Sequence, residues 1–226
     1  MTEDKRTIHI KGTGHAAQTP DTVVLSLTLT AQNKEYSAAM KIGSQQVEML
    51  RESIVEAGFQ ADDLKTINFD VRAVYEDEEY KEGKSTRYRQ IFVGFECRHD
   101  LKLTFDLDND KLNAAVDTIA ISLAQPKISI AFTIKDADAF TDEILKDAAR
   151  NARRQAEILC AASGVKLGKL LRVNYSWNEI NVRQSLGKAE IDNLLCGAGD
   201  SPDFDFDFQP DEIKASDSVD FIWEIE

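Results

Sequence analysis

GTGHAAQTPDTVVLSLTLTA, residues 12–31, decides the fold class. Its front half carries the Gly-x-Gly of a phosphate-cradling loop, with a histidine directly after it. Its back half alternates, so that Val23, Leu25, Leu27 and Leu29 share one face at a period of two residues, the spacing of a half-buried strand. A dinucleotide-binding glycine loop has a third glycine and opens a helix, whose N-terminus supplies the field that holds the pyrophosphate. Here the third glycine is absent and a strand follows, so the electrostatic basis for phosphate binding is missing. Gly12 and Gly14 are therefore read as a glycine-permitted bend feeding the strand at Thr22, since glycines in strands mark bulges or close backbone approaches. His15 is read as a surface residue. A catalytic base needs a nucleophile or orienting carboxylate beside it, and the chain contains no Gly-x-Ser-x-Gly element.

Working outward, RTIHIKG (6–12) alternates as a strand, and Asn33 opens a helical pattern to about Ala57 with Met40, Val47, Leu50 and Ile54 inward. Gly58 ends it as a C-terminal glycine does. Residues 64–75 alternate again, with Ile67, Phe69, Val71, Ala73 and Tyr75 on one side. The polar stretch 76–87 around Gly83 turns the chain, which returns through Ile91, Val93 and Phe95 to Phe105, a hairpin with its tip in solvent. Asp108, Asn109 and Asp110 offer caps for a helix through Val116, Ile119 and Ala120. A strand at 127–134 precedes an alanine-rich helix over 136–164, its inner face carrying Phe140, Ile144, Leu145, Ala148, Ala152, Ala156 and Leu159. So many alanines let this helix lie close to whatever it packs on. Strands near 169–177 and at 218–226 complete the pattern. Strands and helices mix without βαβα alternation, which predicts an α+β fold: antiparallel or mixed sheets packed against a few helices, including the long alanine-rich one. Residues 1–226 read as a single domain, with room for two intimately packed α/β subdomains, plus an acidic Phe/Asp-rich insertion at 196–209.

Composition excludes several classes. No run of 18 apolar residues occurs, so no membrane-spanning helix is expected. The start MTEDKRTIHIKGTG has no apolar stretch, which points to a cytoplasmic protein, or to a periplasmic or exported one whose signal was removed. Cys97, Cys160 and Cys196 are odd in number and widely spaced, as expected of incidental thiols in a reducing compartment. Residues 190–226 hold 12 acidic residues and one basic, while the remaining 189 hold 28 acidic and 26 basic. Without a basic stripe, nucleic acid is not a partner.

The candidate sites each meet a plainer reading. Gly83-Lys84-Ser85 mimics the end of a phosphate loop, but Glu78 stands where the first glycine should be and the approach is acidic. Asp106, Asp108 and Asp110 match three calcium ligands of an EF-hand, but Lys111 replaces the glycine and Asp117 the bidentate glutamate, so helix capping explains them better. Arg150, Arg153 and Arg154 sit among Asp147 and Glu157 as a solvated helix face. In PDFDFDFQPD (202–211), Phe204, Phe206 and Phe208 would share one strand face and the aspartates the other. It fails as an EF-hand at Phe208 and Lys214, and reads as a solvated or self-packed segment, with partner binding as the candidate function. No catalytic, metal or cofactor-binding residue is assigned.

In their order, these segments resemble the SIMPL domain family. The resemblance rests on Ile10, Gly12, Gly14, Pro20 and Asp21, then Leu50, Gly58, Asp63 and Thr66, Tyr75, Gly94-Phe95, and the helix end at Ala162, Gly164, Leu167 and Gly168. It closes on Pro210, Ile213 and the strand to Ile225. The chain departs from the pattern in its missing export signal and in the Phe/Asp insertion near 200–208. The resemblance implies an α+β fold, frequent assembly into oligomers, and neither established catalytic residues nor a cofactor. One animal member associates with a pelle-like kinase, and bacterial members are linked to stress responses. The expectation is a non-enzymatic homo-oligomer acting through protein–protein contacts. The alternative is a small-molecule-binding module or enzyme with a pocket between helix and sheet.

Overall fold

The computed structural model describes residues 6–82, 85–176, 180, 183–185 and 207–226. The elements are β1 (Thr7–Gln18), β2 (Thr22–Asn33), α1 (Tyr36–Glu56), β3 (Lys65–Glu82), β4 (Ser85–Asp106), α2 (Asn109–Ile121), β5 (Lys127–Thr133), α3 (Ala137–Ala162), β6 (Leu167–Asn174), β7 (Arg183–Ser185) and β8 (Ile213–Ile225). They form an α+β fold with a three-stranded sheet, order β1-β8-β6, and a five-stranded sheet, order β3-β4-β2-β5-β7. The chain divides into two compact units.

One unit carries β1, α3, β6 and β8. β1 and β8 pair antiparallel without interruption from Thr7↔Glu224 to Gln18↔Ile213. α3 begins where the Asp136 carboxylate accepts from Ala139 N at 2.8 Å, satisfying a donor the first turn leaves open. It ends before Gly164, whose φ of +71° suits the left-handed exit of a helix. Its buried stripe is Phe140, Ile144, Ala148, Ala152, Ala156 and Cys160. Leu159, expected inward, is half exposed, because the stripe advances by four residues at each step and reaches Cys160 instead.

The other unit carries β2 to β5, α1 and α2. Val23, Leu25, Leu27 and Leu29 are fully buried, as their spacing predicts, against Leu101 and Leu103 of β4 and Val47, Leu50 and Ile54 of α1. Leu112, Val116 and Ile119 of α2 close the same core, and Asp108 caps that helix through Lys111 N. Ala120, the last residue of the predicted helical pattern, is exposed. Each fully buried leucine contributes about 2 kcal/mol through removal from water.

Two expectations need correction here. α1 starts at Tyr36 rather than Asn33: β2 runs on to Asn33, whose Oδ1 accepts from Glu35 N at 3.0 Å and turns the corner. The last strand starts at Ile213, not near 218. On β3, Ile67, Phe69 and Tyr75 are each about half exposed. β3 is an edge strand, its ladder shifts register at Thr66/Asn68 and Val74/Tyr75, and α1 packs on β2 and β4. The second shift falls at Gly94, φ +152°, where an added Cβ would stand 2.6 Å from the Asn33 carbonyl oxygen.

Candidate functional site

Gly12 and Gly14 lie inside a strand whose pairing runs on without interruption through both, which overturns the bend. They face α3, and both are buried. A Cβ on Gly12 would come within 2.6 Å of the Ala152 Cβ. One on Gly14 would fall on the Ile144 carbonyl oxygen and within 2.6 Å of Ala148 N. The glycines of β1 and the alanines of α3 are two sides of one close approach. Polar bonds pin it: His15 N donates to Asp147 Oδ2 at 3.0 Å, and Asn151 Nδ2 donates to Thr13 O at 3.0 Å. The Pro-Asp pair has its own task, since Asp21 Oδ1 accepts from Lys135 N at 2.8 Å and Asp21 N donates to Thr133 O at 3.2 Å. The His15 side chain is exposed, across from Ser216 in the ladder, and no side-chain hydrogen bond joins the two. With Lys214 they border an open groove on the strand pair.

The remaining sequence candidates fall apart in space. Asp106 is in the β2–β4 ladder opposite Thr22, Asp108 caps α2 and Asp110 sits in its first turn. Among the described residues no three of His, Cys, Asp and Glu are grouped so as to hold a metal ion. Arg150 pairs with Asp147 at 3.4 Å and Arg153 with Glu157 at 2.9 Å, all on the surface of α3. Gly83 and Lys84, Cys196, Phe204 and Phe206, and all of 196–209 except its last three residues lie outside the described residues. Phe208 is half-buried against the five-stranded sheet's core, its ring centroid 6.0 Å from that of Phe132, and Asn109 donates to Asp207 beside it at 3.0 Å.

What the sequence did not reveal is an open aromatic row. Tyr36 meets Phe95 edge-on at 5.4 Å, Phe95 meets Phe92 at 5.3 Å, and Phe92 meets Tyr75 at 5.7 Å. Tyr36 is 50% exposed, Tyr75 56% and Phe92 48%, and Tyr88 further along the same hairpin is 69% exposed. These strands alternate as a half-buried hairpin should, but among the described residues no element covers their outer part. β2 pairs with β4 only from Phe95 onward, so Tyr75–Glu82 and Ser85–Gly94 form a two-stranded ribbon beyond the sheet.

Below the row, the β4 side chains turn under α1. Gly43 allows that fit: a Cβ there would stand 2.8 Å from Cys97 Sγ and 3.4 Å from His99 Cδ2. The His99 ring stacks at a tilt on Phe69, centroids 4.6 Å apart, and neither ring nitrogen has a hydrogen-bond partner. Burial holds the His99 pKa below the ordinary 6.5, with the Asp100 carboxylate partly opposing it. Asp100 itself points to the other face. Burial raises its pKa, but bonds from Thr28, Arg98 and Asn68 outweigh that and hold it below the usual range. Because folding favours neutral His99, the unfolded chain binds more protons in acid. Its contribution is complete above pH 6.5 and is lost as pH falls through the lowered native value. His99→Phe is expected to flatten the decline of melting temperature just below pH 6.5, without loss at pH 8. An unchanged acid slope would refute this assignment.

Among the described residues no helix is long and apolar enough to cross a membrane. The chain is 21% identical over its whole length to a "26 kDa periplasmic immunogenic protein" of Brucella abortus, covering 87% of that protein. It is 22% identical over 95% of its length to "Uncharacterized protein YggE" of Escherichia coli K12, covering 81% of it. Its identity to the YggE of Edwardsiella ictaluri is 26% over 73% of the chain and 65% of that protein. The family profile described as SIMPL, "Protein of unknown function (DUF541)", matches residues 8–223. With glycine strand, alanine helix and hairpin all inside that span, the chain belongs to the SIMPL family.

Proposed function

We propose that the chain is a non-enzymatic protein that associates with further copies of itself and acts through protein–protein contacts. The observation that carries this reading is the open row of Tyr36, Phe95, Phe92 and Tyr75. Aromatic side chains concentrate at the centres of protein interfaces, where their large rigid surface is removed from water at little entropic cost. Monomers rarely leave such a contiguous patch uncovered. Phe204 and Phe206 join the reading as candidate partner contacts, while Phe208 packs half-buried against the core of its own unit. For location, the printed name of the Brucella relative favours the periplasm over the cytoplasm. Cys97 and Cys160 are buried free thiols, so their reduced state does not decide the compartment.

Multi-angle light scattering of the full chain tests the association. The expected mass is a multiple of 25.3 kDa that holds on dilution into the low micromolar range. A mass of one chain at every concentration overturns the proposal.

A further inference from the structure

The ribbon beyond β2 has two open edges of opposite charge. Among the described residues no strand pairs with the outer edge of β3, and none pairs with β4 before Phe95 on the side where β2 lies further along. On the β3 strand of the ribbon, Glu76, Asp77, Glu78 and Glu79 follow one another with no base among them. On the β4 strand, Arg87 and Arg89 occur with no acid between Arg87 and Gly94. Within one chain the two strands already read each other. Glu78 lies opposite Arg89 and bridges it at 2.5 Å, and Arg89 also sits 5.5 Å over the Tyr80 ring.

We propose that this ribbon is a pairing arm, and that the acidic β3 edge of one copy takes the basic β4 edge of a second copy as its next antiparallel strand. The inference rests on the self-association reading and names its surface. Three observations select this occupant and this geometry. A two-stranded ribbon is marginal alone in water and gains from a third strand. An unpaired edge is a template for another strand, because its backbone donors and acceptors are already aligned. Charge then decides among the pairings. β3 against β3 sets four carboxylates beside four, and β4 against β4 sets arginine beside arginine. Only β3 against β4 repeats across the interface the complementarity that Glu78–Arg89 shows within it. Such a contact uses different surfaces on the two copies, so it propagates. All arms point the same way, and the assembly is a closed ring if the rotation per copy closes, or a filament if it does not. The arm's aromatic side chains, Tyr75, Phe92 and Tyr88, share the face opposite to the one that carries Arg87 and Arg89.

Charge-swap complementation of the full chain tests this. One variant, Glu76→Lys with Glu78→Lys, makes the β3 edge basic on the face that carries Arg87 and Arg89. The other, Arg87→Glu with Arg89→Glu, makes the β4 edge acidic. Each alone presents like charges on both edges of that face and is expected to run as a monomer in light scattering. Mixed in equal amounts, the two offer opposite edges in both directions, and the wild-type mass is expected to return. Since misfolded chains do not complement, recovery separates a lost contact from a lost fold. A wild-type oligomer whose mass neither variant changes overturns the arm and leaves self-association standing. Monomeric variants that fail to recover on mixing also overturn it. A monomeric wild type overturns the underlying reading, and a foreign protein lost by both variants reassigns the arm to that partner.

Discussion

Gly14→Ala is expected to cost about 3 kcal/mol of stability and to lower the melting temperature by roughly 10 °C, the scale of a forced overpacking in a small unit. One methyl group has this effect because of where it would lie. It would fall on the Ile144 carbonyl oxygen and within 2.6 Å of Ala148 N, both in the middle turns of α3. Neither is the far end of a flexible side chain that could swing aside. Relief requires moving α3 away from β1, which also breaks the bonds of His15 N and Asn151 Nδ2 that span the same gap. Gly58→Ala is the control. Gly58 has a φ of +90° but nothing within 4 Å of the added Cβ, so that variant pays only backbone strain, about 1 kcal/mol. Thermal unfolding of both variants ranks them. If Gly14→Ala melts no lower than Gly58→Ala, close approach is not why these glycines are there.

That same stretch shows how much of the molecule was legible in its sequence. Period-two spacing placed Val23, Leu25, Leu27 and Leu29 in the core because a central strand is covered on the face they share. The identical spacing at Ile67, Phe69 and Tyr75 placed a strand but left them half exposed, because a pattern states which side chains share a face and not whether anything lies over it. Edge position is a property of strand order, which depends on pairings between residues far apart in the chain, such as Leu27↔Leu101. The glycines were visible, and so were the alanines of α3. Their connection was not, since Gly14 and Ala148 meet only across the fold. Local chemistry was the most readable: Asp108 as a cap, Gly58 and Gly164 as helix exits, Arg153 with Glu157 as a surface pair. The candidate interaction surface was hidden for the reason the exposure of the β3 face was. Tyr75 and Phe95 were placed on strands by their spacing, but the short reach of β2, which pairs with β4 only from Phe95 onward, was not legible there.

Leu101→Ala should be the largest truncation effect in the five-stranded sheet's unit, about 4 kcal/mol. Leu101 is fully buried on β4, directly across the ladder from Leu27, which is fully buried too. Removing three carbons there loses their transfer from water and leaves a void. The neighbours cannot collapse into it, since β4 is held by β2 on one side and β3 on the other. Leu159 on α3 provides the opposite case: the same substitution at a half-exposed site should cost less than about 1 kcal/mol. Urea unfolding followed by circular dichroism measures both, read as a shift in midpoint at constant slope, so that a change in the unfolded state is not mistaken for one in the core. If Leu101→Ala is too unstable to purify, Leu101→Val, expected at about 1 kcal/mol, keeps the comparison measurable. Equal costs at positions 101 and 159 would mean that the β2–β4 ladder is not the centre of its core.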